Sequence, residues 1–578
     1  MKTKFIYLTL ILCFVFVDIT SYSAIVSIEK ARNIAINFYN MQYYKVNSSL
    51  PNYKAITTNP ISINNNLGFW VCNFSQGGFV IVSGDDIAYP IVGYSFNSTF
   101  DTENVPPQLE AWLTSVSLSI EKAKSIKGNK SYNYLWEKIL NNNEINKMQK
   151  QSLLNVNPLL TTKWDQGENY NNYCPVSLYG PGGHCVTGCV ATAMAQVMKY
   201  HNYPTVGKDS MYYNSVYEVF QNTYYRWNEM TTHADLTSGD AISELIFHCG
   251  ITVNMNYGAT ESGTSTSYVP YALSHYFQYH PSVAFVQREN FTDKDWDVLI
   301  RDNIDLSQPV LYSGYGDGGH AFVCDGYQDT CFYHFNWGWS GYADGYYFYN
   351  NLSPGGSDFS NYQGAVINAK PFNTPYCVDG RILTDRYRTF NDGSGVNLYA
   401  KNTSCNWLIS PDSAESIRLT FTTFQTQLNT DFVSVYNGAD ATAPLIGKYS
   451  GNQIPSVITS SGSKLYVVFT SDGATQAQGF EAHYETTLIG ISETFLNRYL
   501  SFYPNPAKDL LFVKLSDINN WDGQIEIYDL TGKLVKNNKV ELSSENITTI
   551  IVSDLQKGFY ILTAKGTEGE YSTKLIIQ

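Results

Sequence analysis

The sequence is poor in charge, and poorer still in positive charge. Only 15% of its 578 residues are charged, and 37 Lys+Arg against 51 Asp+Glu leave a formal net charge of −14. Nucleic acid and anionic membrane surfaces both need a basic face, so neither is expected as the main partner. Long apolar runs are scarce as well. Beyond the N-terminus no segment reaches the roughly 20 residues that a membrane helix requires. No CxxC pair occurs and no Cys/His set has zinc-ligand spacing, so no zinc site is expected. Repeat arrays and extended low-complexity tracts are missing too. What the chain does have is apolar and aromatic material, 43% and 15% of residues. It can bury ample core, and its length corresponds to about four domains.

The first 23 residues read as a secretion signal. Lys2 and Lys4 precede an apolar stretch from Phe5 to Val17, and Ser21 and Ser23 sit at the −3 and −1 positions of a small-residue cleavage site, giving a mature start near Ala24. Export permits disulfides. Of 10 cysteines, Cys13 lies in the signal, and the remaining odd number leaves at least one thiol unpaired within a monomer.

The expected class is α+β, in the order α+β, α+β, β, β. Residues 24–155 form a first unit: a helix from Ile28 to Tyr43, three strands with tight turns between Gly68 and Ser95, and a helix from Pro107 to Lys124. The polar run Asn141–Gln151 reads as a linker. Residues 156–372 hold six of the cysteines and eight of the 9 histidines, which makes this unit the place to look for chemistry. After Pro371–Pro375 come an all-β unit over 373–487, a linker over 488–500 and a final alternating unit over 501–578.

The segment "GCVATAMAQVMKYHNYP", Gly188–Pro204, carries Val190, Ala193, Met194, Val197 and Met198 at helical spacing, and Asn202 and Pro204 stop it. Cys189 is therefore placed in the first turn of a buried helix. There the helix dipole and free N–H groups should lower the thiol pKa and favour a nucleophilic thiolate. The alternative is a small cysteine packing a helix end.

Gly314–Gly345 reads as a β-hairpin turning near Gln328-Asp329-Thr330. That turn sets His320 opposite Asn336, so an amide oxygen would fix the imidazole tautomer while the other ring nitrogen faces the thiol. Gly316, Gly318 and Gly319 leave room for a substrate backbone, and Trp337 and Trp339 can wall the pair from water. His184, His201 and His334 are local competitors, and His334 shares the expected face of Asn336. Upstream, Gln166 in "WDQGENYNNYCP" can donate its side-chain amide to an oxyanion, with the Cys189 N–H as second donor. Cys174 and Cys185 flank the loop before the nucleophile and can pair. A Cys324–Cys331 bond would require a slipped register.

"WDQGENYNNYCP", "GCVATAMAQVMKYHNYP", "GITVNMNYG", "GGHAFVCDGY" and "FYHFNWGWSGYADGYY" resemble the streptopain family of papain-like cysteine peptidases, over about residues 158–370. The resemblance implies a secreted endopeptidase of broad specificity that needs no cofactor. Cys189 would be the nucleophile, His320 base and acid, Gln166 the oxyanion donor, Asn336 the ring orienter and Trp337 a shield. "GGFVIVSGDDIAYPIVGYS" is similar to the family's propeptide, so the first unit becomes an inhibitory prodomain.

Residues from Cys377 to about Tyr484 resemble a CUB domain, implying a Cys377–Cys405 disulfide and a β-sandwich. Asp431 and Asp472 match calcium ligands of such domains, whereas Gln427 stands where a Glu belongs. "YPNPA", "YDLTGK" and "KGFYIL" resemble the C-terminal sorting domain of the type IX secretion system, which implies export across the outer membrane and an extracellular or surface-attached product. The expected partners are protein or peptide substrates, the chain's own propeptide and the secretion machinery. The main alternative is a surface adhesin working through the CUB-like unit on a non-catalytic peptidase fold. An acyl transferase handing acyl groups to amines is a third reading.

Overall fold

The computed structural model describes residues 24–578 except 48, 54–55, 64–65, 125–131, 141–154, 214–215, 316–318, 329–331, 349–362, 396, 413, 489–499, 516–519, 544–546 and 567–568. The expected signal, both expected linkers for the most part, Gly316, Gly318 and Cys331 lie outside the described residues. The chain divides into two units, Met1–Thr374 and Pro375–Gln578.

The first unit begins with α1 (Ile28–Asn47), whose Ala31, Ile34, Ala35, Phe38, Tyr39 and Gln42 are buried at helical spacing. Strands β1 (Ile56–Ile63), β2 (Asn66–Phe74), β3 (Phe79–Ser83) and β4 (Ile91–Ser95) follow, then α2 (Pro107–Lys124), α3 (Asn133–Leu140) and the short β5 (Asn155–Val156). Helix α4 (Cys189–His201) is followed by the hairpin β6 (Met211–Tyr213) and β7 (Val216–Glu218), then α5 (Gly239–Thr252), α6 (Val269–Tyr276), β8 (Ala284–Gln287) and α7 (Asp293–Asp305). The last strands are β9 (Val310–Tyr315), β10 (Gly319–Gln328), β11 (Phe332–Asn336), β12 (Gly345–Phe348) and β13 (Gly364–Ile367).

One sheet runs through the whole unit, in the order β1-β2-β3-β4-β12-β11-β10-β9-β13-β8, with β5 on β10. The joint between its N-terminal and central halves is antiparallel pairing of Tyr94 with Tyr346 and Gly93 with Tyr347. The two halves also share one hydrophobic core, in which Phe38, Tyr94 and Trp112 lie with Phe332, Trp337 and Tyr347. The Tyr89 ring stacks on Phe348 at 4.0 Å, and Trp112 meets Tyr347 edge-on at 5.1 Å. Ser98 donates to the Gly341 carbonyl (3.1 Å) and Tyr342 to the Asp101 carbonyl (2.9 Å). The N-terminal half is thus built into the sheet of the central half.

A second core lies under α4 and α5 on the other face. Along β10, Ala321 and Val323 enter this second core, while Phe322 and Cys324 enter the first. That alternation is the ordinary pleat of a strand buried on both faces.

In the second unit, residues from Arg381 to Leu488 form a sheet of five strands and a sheet of four among the described residues. Trp407, Phe390 and Phe480 pack in their core, and Cys377 is bonded to Cys405, as expected. From Leu500 onward a three-stranded and a four-stranded sheet enclose Leu511, Trp521, Ile525 and Leu562. Both segments are all-β, as their alternating sequences require. Among the described residues no helix is long and apolar enough to cross a membrane.

Candidate active site

Cys189 opens α4 as its first residue. The residue before it, Gly188, has φ +86°, and a Cβ there would lie 2.7 Å from the Met255 side chain, so only glycine fits this entry. Gly188 offers no side-chain cap, and the helix ends at Asn202 in the left-handed conformation, its N–H returned to the Lys199 and Met198 carbonyls. The backbone N–H groups of Cys189 and Val190 favour the thiolate, and the Ala321 N–H donates to Sγ at 3.4 Å. Even so, burial dominates and pushes the thiol up rather than down. The expected lowering by the helix dipole is therefore overturned in this state, because desolvation of a buried thiolate outweighs those few dipoles.

Ala321 follows His320 directly, so the Cα of His320 is two covalent bonds from the N–H that meets the sulfur. His320 pairs with Gly314 of β9, is half-buried and has its imidazole pKa lowered by burial. By alternation it has the parity of Phe322 and Cys324. Among the described residues its ring makes no hydrogen bond.

The hairpin register differs from the expected one. Asn336 faces Val323, three residues beyond His320, because β10 runs on to Gln328, β11 starts at Phe332, and a bulge falls between Cys324 and Gly326. Asn336 consequently lies on the α4 side. Its Oδ1 accepts from Gln196 Nε2 (3.1 Å) and the Gly338 N–H (3.1 Å), and its Nδ2 donates to the Thr162 carbonyl (2.8 Å). Cys324 faces Phe335 and is a free, buried thiol. Cys174 and Cys185 are also free thiols, buried in one small cluster.

Gln166 is brought to the nucleophile through its backbone, since its carbonyl accepts the Thr187 N–H (3.1 Å) two residues before Cys189. Asp165 holds the turn: Oδ1 accepts from the N–H groups of Gln166 (2.5 Å) and Gly167 (3.3 Å), and Oδ2 from the Ser340 hydroxyl (2.7 Å). The Gln166 side chain is half-buried and makes no hydrogen bond among the described residues. Trp337 packs on Phe322 at 4.7 Å and donates from Nε1 to the Ala343 carbonyl (3.2 Å), while Trp339 buries its indole N–H without a partner among the described residues. Gly319 opens β10.

The competing histidines are engaged elsewhere. The His334 Nδ1 lies 2.6 Å from the buried Asp325 carboxylate. The His184 Nδ1 meets the Cys174 carbonyl (2.7 Å), and burial lowers His201 to about 4. Asp165, Gln196 and the Ala321 N–H were not singled out from the sequence. Gln196 alone carried a signal there, a long polar side chain in a helix whose neighbouring positions are mostly apolar.

In the second unit Gln427, Asp431 and Asp472 do meet, as a hydrogen-bonded clasp. The Asp431 carboxylate is fully buried, accepting from the Asp472 N–H (2.8 Å) and from the Tyr399 hydroxyl, and the Gln427 Oε1 accepts from the Thr475 N–H (3.0 Å). A neutral amide and a carboxylate with both oxygens engaged fit a hard cation badly. Among the described residues no group of three or more acidic, His or Cys side chains is arranged for a metal.

Family models match along the chain: the Spi protease inhibitor over 23–120, the Peptidase C10 family over 164–347, the CUB domain over 377–484 and the secretion system C-terminal sorting domain over 501–578. Streptopain of Streptococcus pyogenes is 36% identical over 336 residues, covering 52% of this chain and 80% of that protein. The thiol protease/hemagglutinin PrtT of Porphyromonas gingivalis is 29% identical over 371 residues, covering 59% of this chain and 42% of that one. Among solved structures, a prointerpain A fragment of Prevotella intermedia aligns at 27% identity with a TM-score of 0.44, covering 56% of this chain and 100% of the fragment.

Proposed function

This chain belongs to the peptidase C10 family, and we propose that Cys189, His320, Gln166 and Asn336 carry its cysteine-type endopeptidase activity. An inhibitor-like prodomain precedes the peptidase, so the chain is a zymogen. Its sorting domain indicates type IX secretion and an extracellular or cell-surface destination. In the proposed reaction the Cys189 thiol passes its proton to His320 and the sulfur attacks the scissile carbonyl. The oxyanion is held by the Gln166 side-chain amide and the Cys189 N–H. His320 then protonates the leaving amine, and water hydrolyses the thioester.

The observation that carries this reading is the thiol at the start of α4 accepting from the N–H next to His320, with the Gln166 turn bonded to the residues just before it. Burial favours the neutral thiol and the neutral imidazole here. By strand parity the His320 side chain starts on the Phe322 side of β10, so the proposal requires the ring to move to meet Sγ. Asn336 supports the site by joining β11 to α4 and needs no contact with His320 in this state. In the same proposal 24–155 is the inhibitory unit, 156–372 the peptidase, 373–487 the CUB-like sandwich and 501–578 the sorting unit.

The test is Cys189→Ala. Casein hydrolysis and self-processing are expected to disappear while the melting temperature stays within about 2 °C, the scatter typical of a neutral change. Hydrolysis at the wild-type rate refutes the assignment. Failure of an iodoacetamide probe to label Cys189, before or after removal of the N-terminal unit, favours the adhesin instead.

A further inference from the structure

Gln196 is fully buried on α4, seven residues after Cys189 and hence two turns along the same helix face. Its amide is used at both ends. Oε1 accepts from the Thr162 hydroxyl (2.8 Å) and the Trp164 N–H (3.4 Å), and Nε2 donates to Asn336 Oδ1 (3.1 Å). Trp164 leads into Asp165 and Gln166, and the Trp164 carbonyl accepts the Ser340 N–H (3.2 Å). The Gln166 carbonyl is bonded to the Thr187 N–H, and two residues later the chain enters α4 at Cys189. These bonds close a ring: helix, Gln196, the Thr162–Gln166 segment, Thr187 and back to the first turn of the helix.

We propose that Gln196 is a positioning residue of the peptidase reaction, clamping the segment that bears the oxyanion donor Gln166 to the helix that bears the nucleophile. The inference rests on the site assignment above. Without Gln196 the segment keeps its tether at Thr187 and its bonds to Asn336 and Ser340, but loses the direct bonds from Thr162 and Trp164 to the helix. Displacement of a catalytic group by about 1 Å costs on the order of 10²-fold in rate. The sulfur itself stays in place, because α4 and the Ala321 N–H hold it independently.

The experiment measures peptide hydrolysis and iodoacetamide alkylation of Cys189 on the mature enzyme. Gln196→Met is expected to lower kcat by about 10- to 100-fold with KM within about threefold, and to leave alkylation within about twofold. Gln196→Glu, whose buried carboxyl stays neutral and keeps one donor and one acceptor, is expected to restore most of kcat. In a Gln166→Ala background Gln196→Met should cost less than about threefold more, because the donor it positions is already gone. Should Gln196→Met fail to fold, Thr162→Val removes only the hydroxyl and must show a smaller loss with the same dependence on Gln166. Unchanged kcat, equal losses in both backgrounds, or a parallel fall in alkylation overturns the inference. Failure of the site assignment would show separately, as full activity in Gln166→Ala or Cys189→Ala.

Discussion

Asp344 lies in the loop between β11 and β12, and its Oδ1 accepts the Trp337 N–H at 2.9 Å. Burial raises its carboxyl to about 7, against the lowering influence of His334, the Trp337 N–H and Lys163, with Asp325 adding to the rise. His334 is also raised, by Asp325 and by Asp344 against its own burial. A carboxyl whose folded pKa lies above its unfolded value binds more protons in the folded state. Stability therefore falls as pH rises from about 4 to about 7, by up to about 1.4 kcal/mol per unit, or on the order of 4 kcal/mol across the window. Loss of the His334 proton at higher pH acts in the same direction. Asn at position 344 keeps the acceptor for Trp337 and cannot ionise. Asp344→Asn, made in a Cys189→Ala background to prevent self-cleavage, should match its parent near pH 4 and exceed it increasingly up to pH 7 or 8. Calorimetry of the proenzyme at pH 4, 5.5, 7 and 8 reads the difference. A stability difference that stays flat across that range, or that favours Asp344 more strongly at high pH, refutes the argument.

Two further outcomes follow from other parts of the chain. Gly93→Ala would place a Cβ 2.6 Å from the buried Tyr347 ring at the joint of β4 with β12. Overpacking of this kind costs about 1–3 kcal/mol, so release of the N-terminal unit should quicken by about 5- to 160-fold, read as the half-life of the proenzyme on a gel. An unchanged half-life would separate that pairing from activation. In the CUB-like unit, 1 mM calcium should leave the melting temperature unchanged, and Gln427→Glu should create calcium binding measurable by titration calorimetry. Submillimolar binding by the parent chain would contradict the clasp reading.

The elements were legible wherever sequence and burial agree locally. The periodicity of Ile28–Tyr43 and the turn-bounded apolar run Phe79–Ser83 correspond to α1 and β3, and α2 has the bounds its apolar spacing gave. The helix start at Cys189 and the strand that carries His320 were legible because helix starts and glycine-rich strand ends have local signatures. The hairpin register was not. A symmetric turn centred on residue 328 is the simplest reading, but strand length and a bulge decide the pairing, and neither has a distinctive residue to announce it. The thiol was read with the wrong sign for a related reason: the dipole of a helix start is a local property, while desolvation depends on what the whole fold lays over the sulfur. The shared core of the N-terminal and central halves is non-local in the same way, since Tyr94 meets Tyr346 from more than two hundred residues away.

Gln196 lies between these cases. Beside the apolar face of Val190, Ala193, Met194, Val197 and Met198, α4 buries Gln196 on the side of Cys189 and Thr192, and a buried glutamine must satisfy an amide at both ends or cost stability. That requirement could be read from the sequence alone, although its partners could not. Thr162, Trp164 and Asn336 come from two distant segments, and they are the segments that flank the proposed chemistry. The buried amide of Gln196 therefore marks where the fold joins the helix that bears the proposed nucleophile to those two segments.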